Sequence, residues 1–159
     1  MFMDPKKFAM VGGGVMLAMG VFALALPGAA QTLPVLNLEN SYGLFLGIFP
    51  MNVLNKVALV LFGIAGIAVA SSKFRSLPLS ILYSRFVMVA MGALAILGMI
   101  PQTNTLFGYW PLFGNEIWAH ALFAALGGLF GFALSAKAAA EAPKVRTRTE
   151  YTTPLTSGR

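Results

Sequence analysis

The side chains that could do chemistry stand at the heads of two apolar stretches of similar layout. The stretches are 49–67, FPMNVLNKVALVLFGIAGI, and 113–131, FGNEIWAHALFAALGGLFG. Their polar residues, which we call the polar head, are Asn52, Asn55, Lys56, Glu116 and His120. Amide, ammonium, carboxylate and imidazole groups can cap helices, pair as ions or bind a ligand. The polar head is therefore the candidate functional site.

His120 is the one histidine of the chain and the most direct candidate for a ligand-binding residue. A neutral imidazole can be the axial ligand of a chlorophyll-type pigment, and Trp118 would complete a cofactor site, with Phe123 and Phe130 as further aromatic packing. The alternative is a structural hydrogen bond from His120 to an asparagine of the other helix or to a loop carbonyl, which is a common use of polar residues in membrane bundles.

Lys56 stands near a helix amino terminus, where the helix macrodipole disfavours a cation. Glu116 lies in the matching head, where an anion is favoured. We therefore predict that Lys56 pairs with Glu116, or with Glu39 in the preceding loop. The alternative is a lysine that snorkels to the lipid headgroups. Asn52 and Asn55 precede an apolar run, so capping of a helix is favoured over a substrate site.

Composition indicates what kind of protein holds this polar head. The 159 residues are 58% hydrophobic and 10% charged, with a mean hydropathy of +0.79. A soluble domain carries about 25% charged residues, so the composition points to a membrane as the solvent. Four apolar runs come close to the ~20 residues of a membrane-spanning helix. They lie at about 10–30, 52–72, 81–100 and 117–136.

The four runs predict an all-α fold, a four-transmembrane-helix bundle over residues 1–136. A polar basic tail, 137–159, follows it and is expected to be disordered. The first run also resembles a cleaved signal peptide that ends in small residues at 28–30, but its length favours a retained span. Glycines inside every run indicate close helix packing, within the bundle or between two copies.

The positive charge has a topological explanation. The net charge is +6, and four spans place all Lys and Arg residues except Lys56 on the side that carries both termini. The positive-inside rule makes that side cytoplasmic. Because this topology accounts for the charge, we expect membrane lipid and other membrane-protein subunits as partners, and no nucleic acid.

The two halves of the chain resemble each other. The second and fourth runs align at an offset of 64 residues, and the first and third at an offset of 78. The aligned pairs include Phe49 with Phe113, Lys56 with His120 and Gly63 with Gly127. This pattern predicts two repeated helical hairpins, related by an axis along the membrane normal. A chance likeness between short apolar segments is the alternative.

The heads FPMNVLNK and NEIWAH also resemble those of a known family. This family comprises small bacterial and cyanobacterial four-span membrane proteins classed as a domain of unknown function. Its second span opens with Phe-Pro-x-Asn followed by Asn and His, and its fourth has an acidic or amide residue shortly before a His. Lys56 stands near the expected first His, so a two-histidine site does not carry over. The resemblance covers about 8–136 and implies a four-span bundle without an assigned activity.

Motifs of common enzymes are absent from the sequence. There is no cysteine, no phosphate-binding glycine loop, no HExxH and no nucleophile elbow, so we expect neither a catalytic nor a metal site. We predict a non-enzymatic small integral membrane protein, an accessory subunit or assembly factor of a larger membrane complex. Its expected location is a bacterial inner membrane or a cyanobacterial thylakoid. The alternative is a pigment- or lipid-binding membrane subunit that uses His120 as ligand.

Overall fold

A computed structural model describes residues 4–26, 28–29 and 33–141. The helices are α1 (Pro5–Ala25), α2 (Val53–Ser71), α3 (Ser76–Met99), α4 (Asn115–Gly128) and α5 (Ser135–Glu141), with a π-helical segment, Leu129–Ala133, between the last two. Two short antiparallel strands, β1 (Gly43–Phe45) and β2 (Phe49–Met51), form a hairpin before α2. Four helical spans are long and apolar enough to cross a membrane, and the fourth runs from Asn115 to Lys137. The predicted all-α, four-span architecture is confirmed.

Two helices begin about five residues earlier than their predicted spans, for local reasons. Asp4 caps α1, because its carboxylate accepts a hydrogen bond from the Lys7 amide at 2.8 Å and Pro5 suits the first helical position. The third helix starts at Ser76 and includes Pro78, which is tolerated in a first turn because no helical hydrogen bond is lost there. The start of the predicted tail continues as α5, and 142–159 lies outside the described residues.

The helices pair as two antiparallel hairpins, α1 with α2 and α3 with α4, and α3 also contacts α1 and α2. Glycines lie where backbones approach most closely. A Cβ atom added to Gly13 would lie 2.9 Å from the Gly63 carbonyl oxygen, and one added to Gly127 would lie 2.7 Å from the Ser84 carbonyl oxygen. These glycines therefore pack helices inside the bundle. The repeat and the side on which the termini lie stay predictions.

The bundle has two ends with different contents. At the end where α2 connects to α3, which we call the basic end, Phe8 and Phe130 stack with ring centroids 5.0 Å apart. Nearby, the Tyr83 hydroxyl donates to the Phe62 carbonyl oxygen at 3.0 Å. At the other end, the loop end, the β-hairpin and the segment 100–114 cover the helices. The polar head lies there, at the starts of α2 and α4.

A matched pair of glycine substitutions tests the close packing of α1 on α2. A Cβ at Gly63 would lie 2.5 Å from the Leu17 amide nitrogen, whereas one at Gly14 would have no atom within 4 Å. We expect Gly63→Ala to lower the free energy of unfolding by about 1–3 kcal/mol, because overpacking moves backbone. Gly14→Ala should be neutral or stabilising by up to about 1 kcal/mol. Unfolding in detergent measures both, and equal effects would contradict the packing.

Candidate functional site

Asn52 caps the start of α2, and its side chain also bonds to residues that are distant in the sequence. Its side-chain oxygen accepts a hydrogen bond from the Leu54 backbone amide at 3.0 Å, and its own backbone amide donates to the Asn55 side-chain oxygen at 3.2 Å. The two asparagines form a capping box, so the predicted cap is present. The Asn52 side-chain nitrogen also donates to the carbonyl oxygens of Leu38, at 3.2 Å, and Tyr109, at 2.8 Å. The start of α2 therefore holds two loops that are distant in sequence.

The two loops, 33–42 and 101–111, also bind each other next to Asn52. The Asn37 amide donates to the Gly108 carbonyl oxygen at 2.8 Å, and its side-chain nitrogen donates to the Phe107 carbonyl oxygen at 3.0 Å. In the first loop, burial and the nearby Glu39 carboxylate raise the pKa of Tyr42. The Tyr42 hydroxyl thus stays protonated and donates to a backbone carbonyl. Hydrogen bonds, rather than a large apolar core, close the loop end.

Lys56 is turned into the protein and is only 1% exposed. Its ammonium donates to the carbonyl oxygen of Ser41 at 2.8 Å and to the Ser41 hydroxyl at 2.6 Å. The predicted ion pairs of Lys56 with Glu116 and with Glu39 are wrong, as is the alternative of a snorkelling side chain. The reason is the loop conformation: Ser41 has a φ of 58°, and in that turn both of its oxygens reach the ammonium.

Glu116 and His120 lie one turn apart at the start of α4, and both are buried. The His120 Nε2 and Glu116 Oε2 atoms are 3.7 Å apart. The second oxygen of Glu116 and the Nδ1 atom of His120 have no hydrogen-bond partner, and neither has the indole nitrogen of Trp110. Among the residues that the structure describes, only one other buried side-chain polar atom, Ser80 Oγ, lacks a partner. Three of four unpartnered groups therefore belong to one site.

These three side chains line a cavity of about 50 Å³ inside the loop end. Its other walls are apolar side chains of β2 and of α1 to α4, together with Asn55, and among the described residues neither Lys nor Arg lines it. A second, apolar groove of about 370 Å³ lies between α1 and α4. Groove and cavity share Met19, Phe49, Ala119 and Phe123 as lining residues. The two spaces are thus adjacent, and the groove is the more apolar of the two, with Asn115 as its one polar lining residue in the described part of the chain.

The chain matches a known protein family. A family model described as a domain of unknown function, DUF4383, matches residues 6–133, which include α1 almost entirely and the π-helical segment at the far end. The chain belongs to the DUF4383 family. The resemblance to a family of unknown function is thereby confirmed, and the four spans make this DUF4383 protein a multi-pass integral membrane protein. No curated protein and no solved structure matches the chain.

The polar head of the DUF4383 protein has two parts with different surroundings. Asn52 and Lys56 bind the loops, whereas Glu116 and His120 face the cavity, and Asn55 contacts both regions. Sequence reasoning missed two contributors. Ser41 carried no signal, because its role depends on the turn that it adopts. Trp110 was recognisable only as an aromatic residue near a span.

The geometry around His120 does not fit a chlorophyll-type pigment. Trp118, the second residue of the predicted cofactor site, is 73% exposed on another face of α4, and Phe130 stacks on Phe8 at the basic end. The cavity of about 50 Å³ is far below the roughly 300–1,000 Å³ of sites for larger organic ligands. A macrocycle on the His120 nitrogen would therefore have to displace helices.

The Asn52 side chain offers a direct test of how the loop end is held. Asn52→Ala removes the cap of α2 and two hydrogen bonds to loop carbonyls, so we expect the free energy of unfolding to fall by about 2–3 kcal/mol. Asn115→Ala is the matched control, because its one side-chain bond, to Ile48, is exposed. That control should lose less than about 1 kcal/mol. Equal losses in a thermal unfolding experiment would contradict the role of Asn52.

Proposed function

We propose that this DUF4383 protein is a non-enzymatic integral membrane protein that binds a slender, uncharged lipid-type amphiphile at the loop end. One observation carries the proposal: an apolar groove between α1 and α4 adjoins a cavity lined by three side chains that each carry an unpartnered polar atom. The groove would hold the hydrocarbon chain and the cavity would hold the head group.

The groove has the size and lining of a site for a hydrocarbon chain. Its volume of about 370 Å³ falls within the usual range for small-molecule sites, and residues such as Met19, Trp118 and Leu122 line it. Trp118 and Leu122 are largely exposed on the outer face of α4. Because lipid tails are as apolar as the groove, transfer of a chain from the bilayer gains little free energy. Selective binding must therefore come from the head group.

The cavity supplies that selectivity through its unpartnered groups. Each buried polar group without a hydrogen bond costs about 1–3 kcal/mol. The indole N–H of Trp110 can donate to a hydroxyl or carbonyl oxygen of a ligand, and Glu116 and His120 lie on the same cavity. A head group that bonds to them removes the cost.

The same walls disfavour charged and bulky head groups. Neither Lys nor Arg lines the cavity, and the ammonium of Lys56 is bound to Ser41. A phosphate would therefore have no cationic partner there. The volume of about 50 Å³ accommodates a few non-hydrogen atoms and not a sugar. The supported ligand class is a neutral amphiphile whose head is a hydroxyl or carbonyl group.

Two alanine substitutions on α4 test this function. Ala119 lines both the groove and the cavity, whereas Ala125 is exposed and lines neither. We expect the wild-type protein, purified from membranes in a non-ionic detergent, to retain about one neutral amphiphile per chain. Ala119→Leu should lose most of it, because the added side chain fills the junction, and Ala125→Leu should retain it. Solvent extraction and mass spectrometry measure the ratio of amphiphile to protein.

A further variant separates the head-group site from the groove. Trp110→Phe keeps an aromatic ring at this position but removes the N–H donor. We therefore expect the amount of amphiphile retained to fall about five- to tenfold. A wild-type protein without a stoichiometric amphiphile, or equal retention in both alanine variants, would contradict the proposed function.

A separate observation supports the hypothesis that the protein is an accessory subunit. Two apolar side chains, Val35 and Phe107, are 86% and 75% exposed on loops at the loop end, and Asn37 bonds to the Phe107 carbonyl oxygen. Leu106 and Phe107 have φ values of 43° and 60°, which non-glycine residues rarely adopt. Backbone strain such as that at Leu106 and Phe107 clusters at functional sites. The exposed side chains and the strained turns support docking of this protein as an accessory subunit or assembly factor.

Site-specific photo-crosslinking in native membranes tests this second function. A crosslinking residue in place of Phe107 should capture one defined integral membrane protein, and tagging that protein should recover this chain in return. The control is the same residue in place of Phe74, which is more exposed than Phe107 but lies at the basic end. Crosslinks to lipid alone, or identical products from both positions, would contradict an accessory role.

A further inference from the structure

Arg85 is a cation placed well inside a membrane-spanning helix. It lies nine residues after Ser76, so about 14 Å along α3 from the start of the helix. Its side chain is exposed on the outer surface of the bundle. A charged side chain within a span is costly in lipid, and a long arginine side chain near a helix end can extend toward the headgroups. Charged residues within spans commonly mark functional positions. The surroundings of Arg85 indicate which kind of ligand its guanidinium group can bind.

A π-helical turn in the neighbouring helix holds the guanidinium. In Leu129–Ala133 the backbone bonds span five residues, as in the bond from the Leu134 amide to the Leu129 carbonyl oxygen at 2.9 Å. The Nε atom of Arg85 donates to the Gly131 carbonyl oxygen at 2.8 Å. A Cβ on Gly131 would lie 2.8 Å from Cγ of Arg85, so glycine permits this approach. π-helical turns occur frequently at functional sites.

An aromatic ring also lies against one face of the Arg85 guanidinium group. The Cζ atom of Arg85 lies 4.6 Å from the centroid of the Phe132 ring, within the range of a cation–π interaction. A guanidinium has five N–H donors, of which the Gly131 bond uses one. Within the described part of the chain, no carboxylate forms an ion pair with Arg85. Four donors of an oriented, planar group thus remain for an acceptor from outside the protein.

We propose that Arg85 binds the phosphate group of a phospholipid in the leaflet at the basic end. Two parallel N–H donors of a guanidinium match two phosphate oxygens, and this bidentate, charge-assisted geometry is stronger than a neutral hydrogen bond. Lys73, which is exposed in the α2–α3 connection at the same end, favours an anionic lipid further. The site is distinct from the groove at the loop end, whose walls contain no cation.

Native mass spectrometry of the full-length protein in detergent tests the site. The probes are dioleoylphosphatidylglycerol and dioleoylglycerol, which share their chains and differ in the phosphate-containing head group. We expect the wild type to bind the phospholipid in preference, and Arg85→Gln to weaken that binding about tenfold or more. Arg75→Gln removes the same charge from the same end and should change the affinity less than about twofold. Arg85→Lys should fall in between, because a lysine lacks the planar fork.

Phe132→Leu keeps the charge of Arg85 and removes the ring beneath it. We expect a several-fold loss of phospholipid affinity, and this variant decides the question if Arg85→Gln does not fold. Equal losses of phospholipid affinity in Arg85→Gln and Arg75→Gln would show that only non-specific electrostatic attraction acts, and would overturn the proposal. Unchanged phospholipid affinity in Arg85→Gln would overturn it too, as would equal binding of both probes to Ala119→Leu, in which the loop-end site is filled. Full competition by inorganic phosphate would assign the site to free phosphate instead of lipid. None of these outcomes depends on the amphiphile proposed for the loop end.

Discussion

The loop end of this protein depends on the side chain of one buried asparagine. Both N–H donors and the oxygen of the Asn52 amide are used, to Leu38, Tyr109 and Leu54. Each hydrogen bond contributes only about 1 kcal/mol, but an unpartnered buried amide would cost more than that. The loops can therefore close over the helices only in the arrangement that satisfies Asn52. A single residue thus links the start of α2 to two loops that are about 70 residues apart.

Closure of the loops determines where the remaining polar groups lie. The first loop brings Ser41 to the ammonium of Lys56, whose hydrogen bonds to the two Ser41 oxygens replace those it would make to water. The second loop places the indole of Trp110 on the cavity next to Glu116 and His120. The side chains of Asn52, Asn55 and Lys56 have hydrogen-bond partners, whereas Glu116, His120 and Trp110 each carry an unpartnered atom and line one cavity. Buried polar groups in proteins nearly always have partners, and a group without one identifies a place where an external molecule can bind.

Long-range hydropathy and local capping were readable from the sequence. The four spans follow from apolar run length, and the cap at Asn52 follows from an asparagine before such a run. The juxtaposition of Glu116 and His120 was also within reach, since residues four apart share a helix face. The same rule argues against the predicted partnership of His120 with Trp118, because residues two apart point in different directions, and Trp118 indeed faces outward.

Other features depended on tertiary structure. The partner of Lys56 is Ser41, which lies in a left-handed turn, and a serine in the sequence does not predict that conformation. The hairpin of β1 and β2 turns at Leu46, whose φ of 52° is unfavourable for a leucine and is imposed by its surroundings. The π-helical turn has no sequence signature beyond Gly131, and its hydrogen bond from Arg85 appears only in the structure. Propensity and periodicity therefore find the helices but do not find the contacts that give the two ends of the bundle their chemistry.

Hydrogen exchange measured by mass spectrometry, on the wild type and on Asn52→Ala in the same detergent, tests the central role of Asn52 most directly. The amides of Asn37, Val53 and Leu112 all bond to loop carbonyls at the loop end. If Asn52 holds the loops together, peptides that contain these three amides lose protection together in the variant, while the basic end exchanges as before. Loss of protection confined to the first turn of α2, with both loops unchanged, would show that Asn52 is only a helix cap.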